Sequence, residues 1–482
     1  MRVSTPLAAA AATAALVLWL PQSWAAGPAP DAGEPERSIR RAASEDATPA
    51  YAAPSAGSVQ TASSAPVVEP APGADVLLAW NAKVLAAAEA EDRFLTLKGL
   101  RTAALVHLAA HDALNAIEPR YETYLPRLEA KGPADPLAAV AQAAHRVAVD
   151  QYPDRRESFD AELRRWLERV PAGPARELGA ELGATAAERL LATRRGDGWN
   201  NEAEYRWHPM APGVYAEFAE HSGTPEGFVF GAGWATAKPF VLDRPDHFRA
   251  PPPPAIDGEA YARAYAEVKE VGRFESPSRT PDQTHLALWW KEFVESSHNR
   301  LARELVAAEG LDLWQAARLF ALLETSVFDA YVNVFENKFH YNHWRPYTAI
   351  RWAANDGNPR TEPDPEWTNT HRHTYAFPSY PSAHGTASAA AMTVLADVFG
   401  DEYLLTMTIP QVDAAGPFSE KIVMDPPSRT FPSFSAAARE CSLSRVYLGI
   451  HFRYDSEAGT ELGTKIGRHV VAEALRPLSV RP

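Results

Sequence analysis

Cysteine is nearly absent from this chain of 482 residues, which carries only Cys441. A single thiol cannot form an intramolecular disulfide, so stability must come from core packing. Basic residues are also outnumbered, with 47 Lys and Arg against 61 Asp and Glu, and the formal net charge is −14. This deficit argues against a general nucleic-acid binder, and it makes any local cluster of cations informative.

Long apolar runs are missing beyond the first 20 residues. Residues 1–26 predict a secretory signal, because the apolar run 7–20 follows Arg2 and precedes small residues. That run is too short and too close to the terminus for a convincing membrane span. Residues 27–73 are rich in Ala, Pro and Ser and predict a disordered leader. We therefore expect an exported protein, periplasmic or secreted, with no stable membrane anchor.

Helical periodicity dominates the rest of the sequence. Apolar residues recur at three- and four-residue steps over 100–117, 138–152, 177–191, 259–271, 284–308, 313–340, 382–399 and 433–475. No strongly alternating set of strands and no repeat of fixed period appears. The sequence predicts an all-α fold. Its N-terminal helical half, 74–256, ends in a Pro-rich irregular stretch, and a C-terminal helical half occupies 257–482.

The first stretch with chemical potential runs from Lys338 to Pro346. Lys338 continues the apolar stripe of the helix predicted over 313–340. A lysine on a core-facing stripe should have a lowered pKa or be paired with an anion. The alternative is a lysine that extends from a helix end toward solvent. Arg345 follows after seven residues, close to two helical turns, just before Pro346 interrupts the backbone.

The second stretch is a proline-bounded loop that leads into a small-residue helix. Ser382 is a good N-cap for that helix. The main-chain N–H groups of Ala383, His384 and Gly385 would then point outward together, which creates a helix start suited to an anion. An ordinary capped helix with an incidental histidine is the alternative.

The third stretch contains Arg445, His451 and Asp455. Asp455 lies four residues after His451, so its carboxylate can bond one imidazole nitrogen and leave the other free as nucleophile or ligand. A surface cluster would explain this stretch alone, but three such stretches in one chain argue against coincidence. Farther along, one helix face can be approached closely at Gly459, Gly463 and Gly467.

Together the stretches read Lys-x6-Arg-Pro, Pro-Ser-x-His and Ser-Arg-x5-His-x3-Asp. This signature resembles that of vanadium-dependent haloperoxidases and type 2 phosphatidic-acid-phosphatase-like enzymes, with the chloroperoxidase-like bacterial branch nearest. The resemblance covers roughly residue 234 to the C-terminus. It implies a helical bundle of the vanadium haloperoxidase type, with two packed four-helix-bundle-like halves and long irregular loops.

The resemblance also implies roles for individual residues. His451 would be the covalent attachment point, to the vanadium of vanadate or to phosphorus. His384 would be the acid–base group opposite it, and Asp455 would orient His451. The oxyanion would be bound by Lys338, Arg345, Ser382, Ala383 and Arg445, although Ala383 replaces the family's usual glycine.

Pocket-wall positions are implied at Phe335, Phe377 and Glu292. Phe377 matches an aromatic residue of chloroperoxidase-type sites, whereas Phe335 stands where chloroperoxidases place a tryptophan. The acidic partner expected for the second arginine falls at Phe293, so Glu292 or Glu295 is the candidate substitute.

One such pocket can serve two chemistries, because vanadate and the transition state of phosphoryl transfer share charge and shape. The leading hypothesis is a vanadate-dependent haloperoxidase that oxidises halide with hydrogen peroxide to a hypohalous species. The alternatives are a secreted acid phosphatase with a phosphohistidine intermediate and a non-catalytic oxyanion-binding protein. Under the leading hypothesis we expect vanadate, with which phosphate can compete, and neither haem nor flavin.

The partners implied are peroxide, halide and an organic acceptor, with no nucleic acid, while homo-oligomerisation stays open. Four further histidines lie near the motifs, at His340, His343, His371 and His373. Zinc ligation by these histidines is an alternative, but no carboxylate or cysteine accompanies them at ligand spacing. We interpret them as residues that line or support the pocket.

Overall fold

The computed structural model describes residues 73–216 and 228–478. The predicted signal, 1–26, and the predicted leader, 27–73, lie outside the described residues, apart from Gly73. All described residues belong to one compact unit, and the predicted boundary after residue 256 stays a prediction. Among the described helices, none combines the length and apolar character needed to cross a membrane.

Thirteen α-helices account for most of the described chain, so the all-α prediction is confirmed. The first five are α1 Ala74–Asp92, α2 Lys98–Ile117, α3 Pro136–Gln151, α4 Arg156–Leu167 and α5 Pro174–Thr193. The other eight are α6 Glu259–Val271, α7 Pro281–Trp289, α8 Val294–Ala308, α9 Leu313–Tyr341, α10 Pro346–Trp352, α11 Ala383–Phe399, α12 Phe434–Tyr447 and α13 Arg453–Glu473.

Four short strands between α11 and α12 were not predicted. They are β1 Leu405–Thr408, β2 Gln411–Asp413, β3 Lys421–Val423 and β4 Ser428–Phe431. Strand β1 pairs antiparallel with β4, and β2 pairs antiparallel with β3. Burial alternates along β1, but each strand has only three or four residues. So few residues cannot establish a period of two in the sequence.

Two helical runs predicted as continuous are each broken once. The run 284–308 is interrupted after Trp289, and α8 begins at Val294. The run 433–475 is interrupted between α12 and α13, where Gly449 adopts φ +77°. A Cβ on Gly449 would lie 2.4 Å from the carbonyl oxygen of Gly272, so only glycine fits this turn. Both breaks border the candidate site.

Helix α9 carries a polar ladder that holds the Pro-rich irregular stretch. The carboxylate of Asp329 accepts three consecutive main-chain N–H groups, from residues 240–242, at 2.6–2.9 Å. One and two turns later, Asn333 and Asn337 both donate to the carbonyl of Phe248. Residues 329, 333 and 337 are four positions apart and therefore share one helix face. Their side chains supply hydrogen-bond partners for main-chain groups of the irregular stretch, which has no regular secondary structure to satisfy them.

The glycine face predicted on the last helix packs against the backbone of α11. A Cβ at Gly459 would lie 2.6 Å from the carbonyl oxygen of Ser382, and one at Gly463 would lie 2.1 Å from that of Thr386. Gly467 continues the contact one turn on. The absence of side chains lets the two helices approach closely, which brings the start of α11 beside the start of α13.

Glu324 on α9 is fully buried, and Asn81 on α1 donates a hydrogen bond to it at 3.2 Å. Burial raises the pKa of Glu324 from 4.5 to about 8. Because the pKa of Glu324 is higher in the folded than in the unfolded state, its protonated carboxyl group contributes stability to the fold. This contribution is fully present below pH 4.5 and is lost as the pH rises through about 8. Glu324→Gln should therefore lose less free energy of unfolding than the wild type between about pH 5 and about pH 8. Denaturant titration at each pH measures this, and parallel pH profiles for the two proteins would contradict it.

Candidate oxyanion site

Lys338 lies in the last turn of α9 with no exposed surface. Its Nζ donates hydrogen bonds to the carbonyl oxygens of Pro378, at 3.1 Å, and Ser379, at 2.7 Å. Burial, together with the charge of Arg345, holds the pKa of Lys338 well below its usual range. The lysine is therefore a core residue, as its stripe predicted, and does not extend toward solvent.

Arg345 is not on the helix that carries Lys338. Helix α9 ends at Tyr341, Asn342 follows in the left-handed region, and Arg345 becomes the N-cap of α10. Pro346 does not merely interrupt the backbone, because its fixed φ suits the first position of a new helix. The buried guanidinium donates to the carbonyl oxygens of Phe377, at 2.9 Å, and Ile450, at 3.0 Å.

Ser382 caps α11 as predicted, and its Oγ accepts the N–H of Gly385 at 3.3 Å. The prediction that three amides face outward is corrected, because the Gly385 amide is used by this cap. His384 sits in the first turn, and its imidazole hydrogen-bonds the carbonyl of Trp290. Its Nε2 is buried and meets no hydrogen-bond partner within residues 73–216 and 228–478. Burial, and next the charge of Arg445, holds the pKa of His384 well below its usual range.

Arg445 lies in the last turn of α12 and shares a hydrogen-bond acceptor with His384. Its Nη1 donates to the carbonyl oxygen of Trp290 at 2.8 Å, while its buried Nε has no hydrogen-bond partner in the described chain. Burial lowers the pKa of this arginine. The carbonyl of Trp290 is available to both side chains because it lies in the break between α7 and α8.

His451 lies in the break between α12 and α13, where Asp455 fixes its ring. Asp455 Oδ2 accepts from His451 Nδ1 at 2.9 Å, from the Phe452 amide at 3.1 Å, and from the Ser379 hydroxyl. Because Nδ1 donates to the carboxylate, Nε2 is left with its lone pair. That nitrogen lies 3.4 Å from Nη1 of Arg345. The predicted pairing of residues 451 and 455 is therefore present.

The charges that influence the pKa of His451 come from four other predicted site residues, so the five side chains lie close together. Burial is the main reason why the pKa of His451 lies well below its usual range. The remaining causes are the charges of Arg345, Lys338, Arg445 and His384, in that order. We call these five side chains the cationic cluster. They come from α9, α10, α11, α12 and the break before α13.

The cationic cluster is built for an anionic guest. Neither Lys338 nor Arg445 has a carboxylate within ion-pair distance in the described chain, and their hydrogen bonds go to carbonyl oxygens. The one carboxyl group beside His451, that of Asp455, already accepts three hydrogen bonds, and burial raises its pKa. Buried cations without counter-charge are costly unless an anion neutralises them. Within the cluster, only His384 has intermediate rather than full burial, although its Nε2 is buried.

Aromatic rings form the wall beside the cationic cluster. Phe377 lies under both cations, with its ring centroid 5.2 Å from Lys338 Nζ and 4.6 Å from the guanidinium carbon of Arg345. Phe335, one turn before the lysine, lies 5.3 Å from Phe377 and 4.8 Å from Trp234 between ring centroids. Both predicted wall phenylalanines therefore adjoin the cluster, and Trp234 adds a partly exposed ring that sequence reasoning missed.

Glu292 and Glu295, the two candidate acidic partners of Arg445, lie in different surroundings. Glu292 is paired with Arg300 in a bidentate contact, so its expected place in the pocket wall is corrected. Glu295 is buried, and hydrogen-bonds Tyr331, whose hydroxyl lies close enough to influence Arg445. Burial raises the pKa of Glu295 to about 7. Glu295 forms no ion pair with Arg445 in the described chain, and Tyr331 influences both residues.

The four extra histidines do not form a metal site. No group of three or more His, Cys, Asp or Glu side chains in the described residues is arranged to hold a metal ion. His343 Nε2 lies 2.8 Å from the hydroxyl of Tyr454, and His371 and His373 pack edge to face. His340 is exposed. The zinc alternative therefore has no structural support in this part of the chain.

Two contributors to the site were absent from the sequence predictions. The carbonyl of Trp290 accepts hydrogen bonds from His384 and Arg445. Every residue has a main-chain carbonyl, so the identity of residue 290 could not predict this role. Ser379 bonds Asp455 and lies 3.2 Å from His451 Nδ1. Its position in the proline-bounded loop before Ser382 was the available signal.

Comparisons with known proteins agree with these motifs. Residues 318–479 match the family model described as the VCPO second helical-bundle domain. The chain is 25% identical over 284 residues to the vanadium chloroperoxidase of Curvularia inaequalis. That alignment covers 47% of this chain and 46% of the relative, so the chain spans about half the length of the curated relative it matches.

Solved structures support the same fold over a longer range. The crystal structure of the first bacterial vanadium-dependent iodoperoxidase aligns with a TM-score of 0.67 at 22% identity, covering 85% of this chain and 97% of that one. A holo-type bacterial vanadium-dependent chloroperoxidase aligns with a TM-score of 0.59 at 17% identity, covering 84% and 93%. The predicted resemblance in fold is confirmed.

Proposed function

We propose that this chain, which is related to the vanadium haloperoxidases and matches their second helical-bundle domain over residues 318–479, is itself a vanadate-dependent haloperoxidase. It would oxidise halide with hydrogen peroxide to a hypohalous species. The observation that carries the proposal is the cationic cluster, in which two imidazoles lie among buried cations, and Lys338 and Arg445 have no carboxylate within ion-pair distance among the described residues. A mere phosphate-binding protein needs cations and amides, but it does not need a second imidazole beside the first.

The residues present fit vanadate. Lys338, Arg345 and Arg445 would neutralise its oxygens, with further hydrogen bonds from Ser382 and the Ala383 amide. The lone pair of His451 Nε2 would be the ligand to vanadium. His384 Nε2 and Arg445 Nε, both buried without partners in the described chain, would gain them from an oxyanion.

The protein's own groups then have separate tasks. When bound, vanadate supplies the Lewis-acidic centre at which hydrogen peroxide is activated toward halide. His384, kept neutral by its lowered pKa, accepts a proton at Nε2 from the incoming peroxide. Asp455 and Ser379 keep the proton of His451 on Nδ1, so that Nε2 stays available. The aromatic wall restricts water beside the cations.

One paired assay tests the proposal. Purified protein is incubated with vanadate and assayed for bromide and iodide oxidation with hydrogen peroxide, and phosphate-ester hydrolysis is assayed without vanadate. We expect halide oxidation only after vanadate is added, and we expect phosphate to compete. Hydrolysis without any halide oxidation would overturn the proposal in favour of a phosphatase. Phosphate binding with neither activity would indicate a binding protein.

A further inference from the structure

Two helix positions behind the cationic cluster carry small polar side chains in register with it. Ser388 lies on α11 one turn after His384, and Cys441 lies on α12 one turn before Arg445. Both side chains are buried, and Ser388 lies close enough to the thiol of Cys441 to influence its pKa. The two helices that supply an imidazole and a guanidinium to the site therefore approach each other one turn below it.

His298 on α8 completes this junction. Its Nε2 lies 2.8 Å from Oγ of Ser388, its Nδ1 lies 3.0 Å from Oγ of Ser297, and only 1% of the residue is exposed. Ser297 donates its own hydroxyl proton to the carbonyl of Phe293 at 3.1 Å. Ser297 must therefore accept from His298 Nδ1, which leaves Nε2 as the acceptor of the Ser388 hydroxyl.

The resulting hydrogen bonds run in one direction. They pass from the hydroxyl of Ser388 to His298, then to Ser297 and the carbonyl of Phe293. Phe293 is the N-cap of α8 and closes the break that exposes the Trp290 carbonyl. The ring of Trp290 also packs 6.2 Å from that of His298. The chain of hydrogen bonds therefore ties α11 to the break that anchors His384 and Arg445.

We propose that His298 is a positioning residue for the oxyanion site, which acts through Ser388 to set the turn of α11 that bears His384. This inference rests on the proposed function, because it assumes that the cationic cluster binds an oxyanion. The role requires a neutral imidazole with its proton on Nδ1. A protonated ring could not accept from Ser388, and it would place another positive charge behind His384.

Burial supports that requirement. It lowers the pKa of His298 to about 3, with a smaller contribution from the charge of Arg300. The ring therefore stays neutral at neutral pH, and the hydrogen-bond geometry selects its tautomer. Leucine at this position would leave the Ser388 hydroxyl without its acceptor, whereas the amide oxygen of glutamine can replace Nε2.

The first experiment compares His298→Leu with His298→Gln. Calorimetry measures the dissociation constant of inorganic phosphate for each purified protein, and the thermal midpoint reports folding. Substitutions behind a ligand-binding group weaken binding by about 10- to 100-fold, so we expect a loss of at least about tenfold in His298→Leu. His298→Gln should stay within about threefold of wild type if the acceptor is what matters. Equal affinities in both folded variants and the wild type would overturn the inference.

A second pair decides the question even if His298→Leu fails to fold. Ser388→Thr keeps the hydroxyl that donates to His298, whereas Ser388→Ala removes it. We expect weaker phosphate binding only in the alanine variant, and equal affinities in both would overturn the inference. Nitrogen-15 NMR of the wild type should show the Nδ1–H tautomer of His298, whose signal is assigned from its loss in His298→Gln. The Nε2–H tautomer would contradict the proposed direction of the hydrogen bonds.

The wild-type measurement separates the two proposals. If the wild type binds no phosphate or vanadate, the proposed function fails together with the premise of this inference. If the wild type binds phosphate and the variants bind equally well, only the inference about His298 fails.

Discussion

Replacing His451 with Ala should reduce halide oxidation to the background of the assay at every vanadate concentration tested. Nε2 of this residue carries a lone pair in the cationic cluster, because Nδ1 donates to Asp455. Alanine removes the ligand atom but leaves Lys338, Arg345 and Arg445 in place. We therefore expect the dissociation constant of inorganic phosphate, which these cations hold without a covalent bond, to change by less than about tenfold. Parallel measurements of turnover and phosphate binding check both expectations.

His340→Ala is the matched control for this prediction. His340 lies in the first of the three motif stretches, two residues after Lys338, but it is exposed and makes no contact with the cationic cluster in the described chain. Its removal should leave turnover unchanged. Turnover retained by His451→Ala would show that the attachment residue has been assigned wrongly, while a parallel loss in His340→Ala would indicate a general effect of histidine removal near the motifs.

Arg445→Ala should weaken the binding of phosphate and vanadate by about 1.5–3 kcal/mol, which corresponds to about 10- to 150-fold in the dissociation constant. The reason is that a hydrogen bond from a charged group to an anion is stronger than one between neutral groups, and the Nε of Arg445 has no partner in the described chain. Equilibrium titration with either oxyanion gives the dissociation constant directly.

Arg300→Ala supplies the control for charge removal. Arg300 lies on α8 and is already neutralised by Glu292, so its loss should change oxyanion affinity by less than about threefold. Similar losses in both arginine variants would mean that the binding depends on overall charge. Undiminished affinity in Arg445→Ala would remove this residue from the site.

The expected losses differ in kind because the two residues contact the guest differently. His451 supplies the lone pair that Asp455 orients for attachment, while the lone pair of His384 has the separate task of accepting a proton, so loss of His451 should abolish turnover. Arg445 is one of three cations that share the negative charge, so binding weakens but persists. A comparison of the two variants therefore separates attachment from charge neutralisation.

Local spacing made much of the site predictable. Ser382 as a helix cap and the pairing of His451 with Asp455 both depend on residues within four positions of each other. Helix geometry turns such spacings into distances without any knowledge of the fold. The glycines at 459, 463 and 467 likewise indicated a close helix contact, although not which helix they would meet.

Contacts between residues far apart in the sequence could not be predicted from local spacing. The sequence from 284 to 308 contains neither glycine nor proline, and the helix break after Trp289 has no local signal. The choice between Glu292 and Glu295 also needed coordinates, because both lie near the break and only one turns inward.

By itself, the sequence determined the helical class, the residue types of the cationic cluster and the local partners that orient them. The tertiary structure alone decided that α9, α10, α11 and α12 bring those residues to one place, and that the Trp290 carbonyl and His298 support them. The physical reason is that helix periodicity acts over a few residues, whereas the meeting of distant helices depends on packing and on buried polar groups finding partners across the fold.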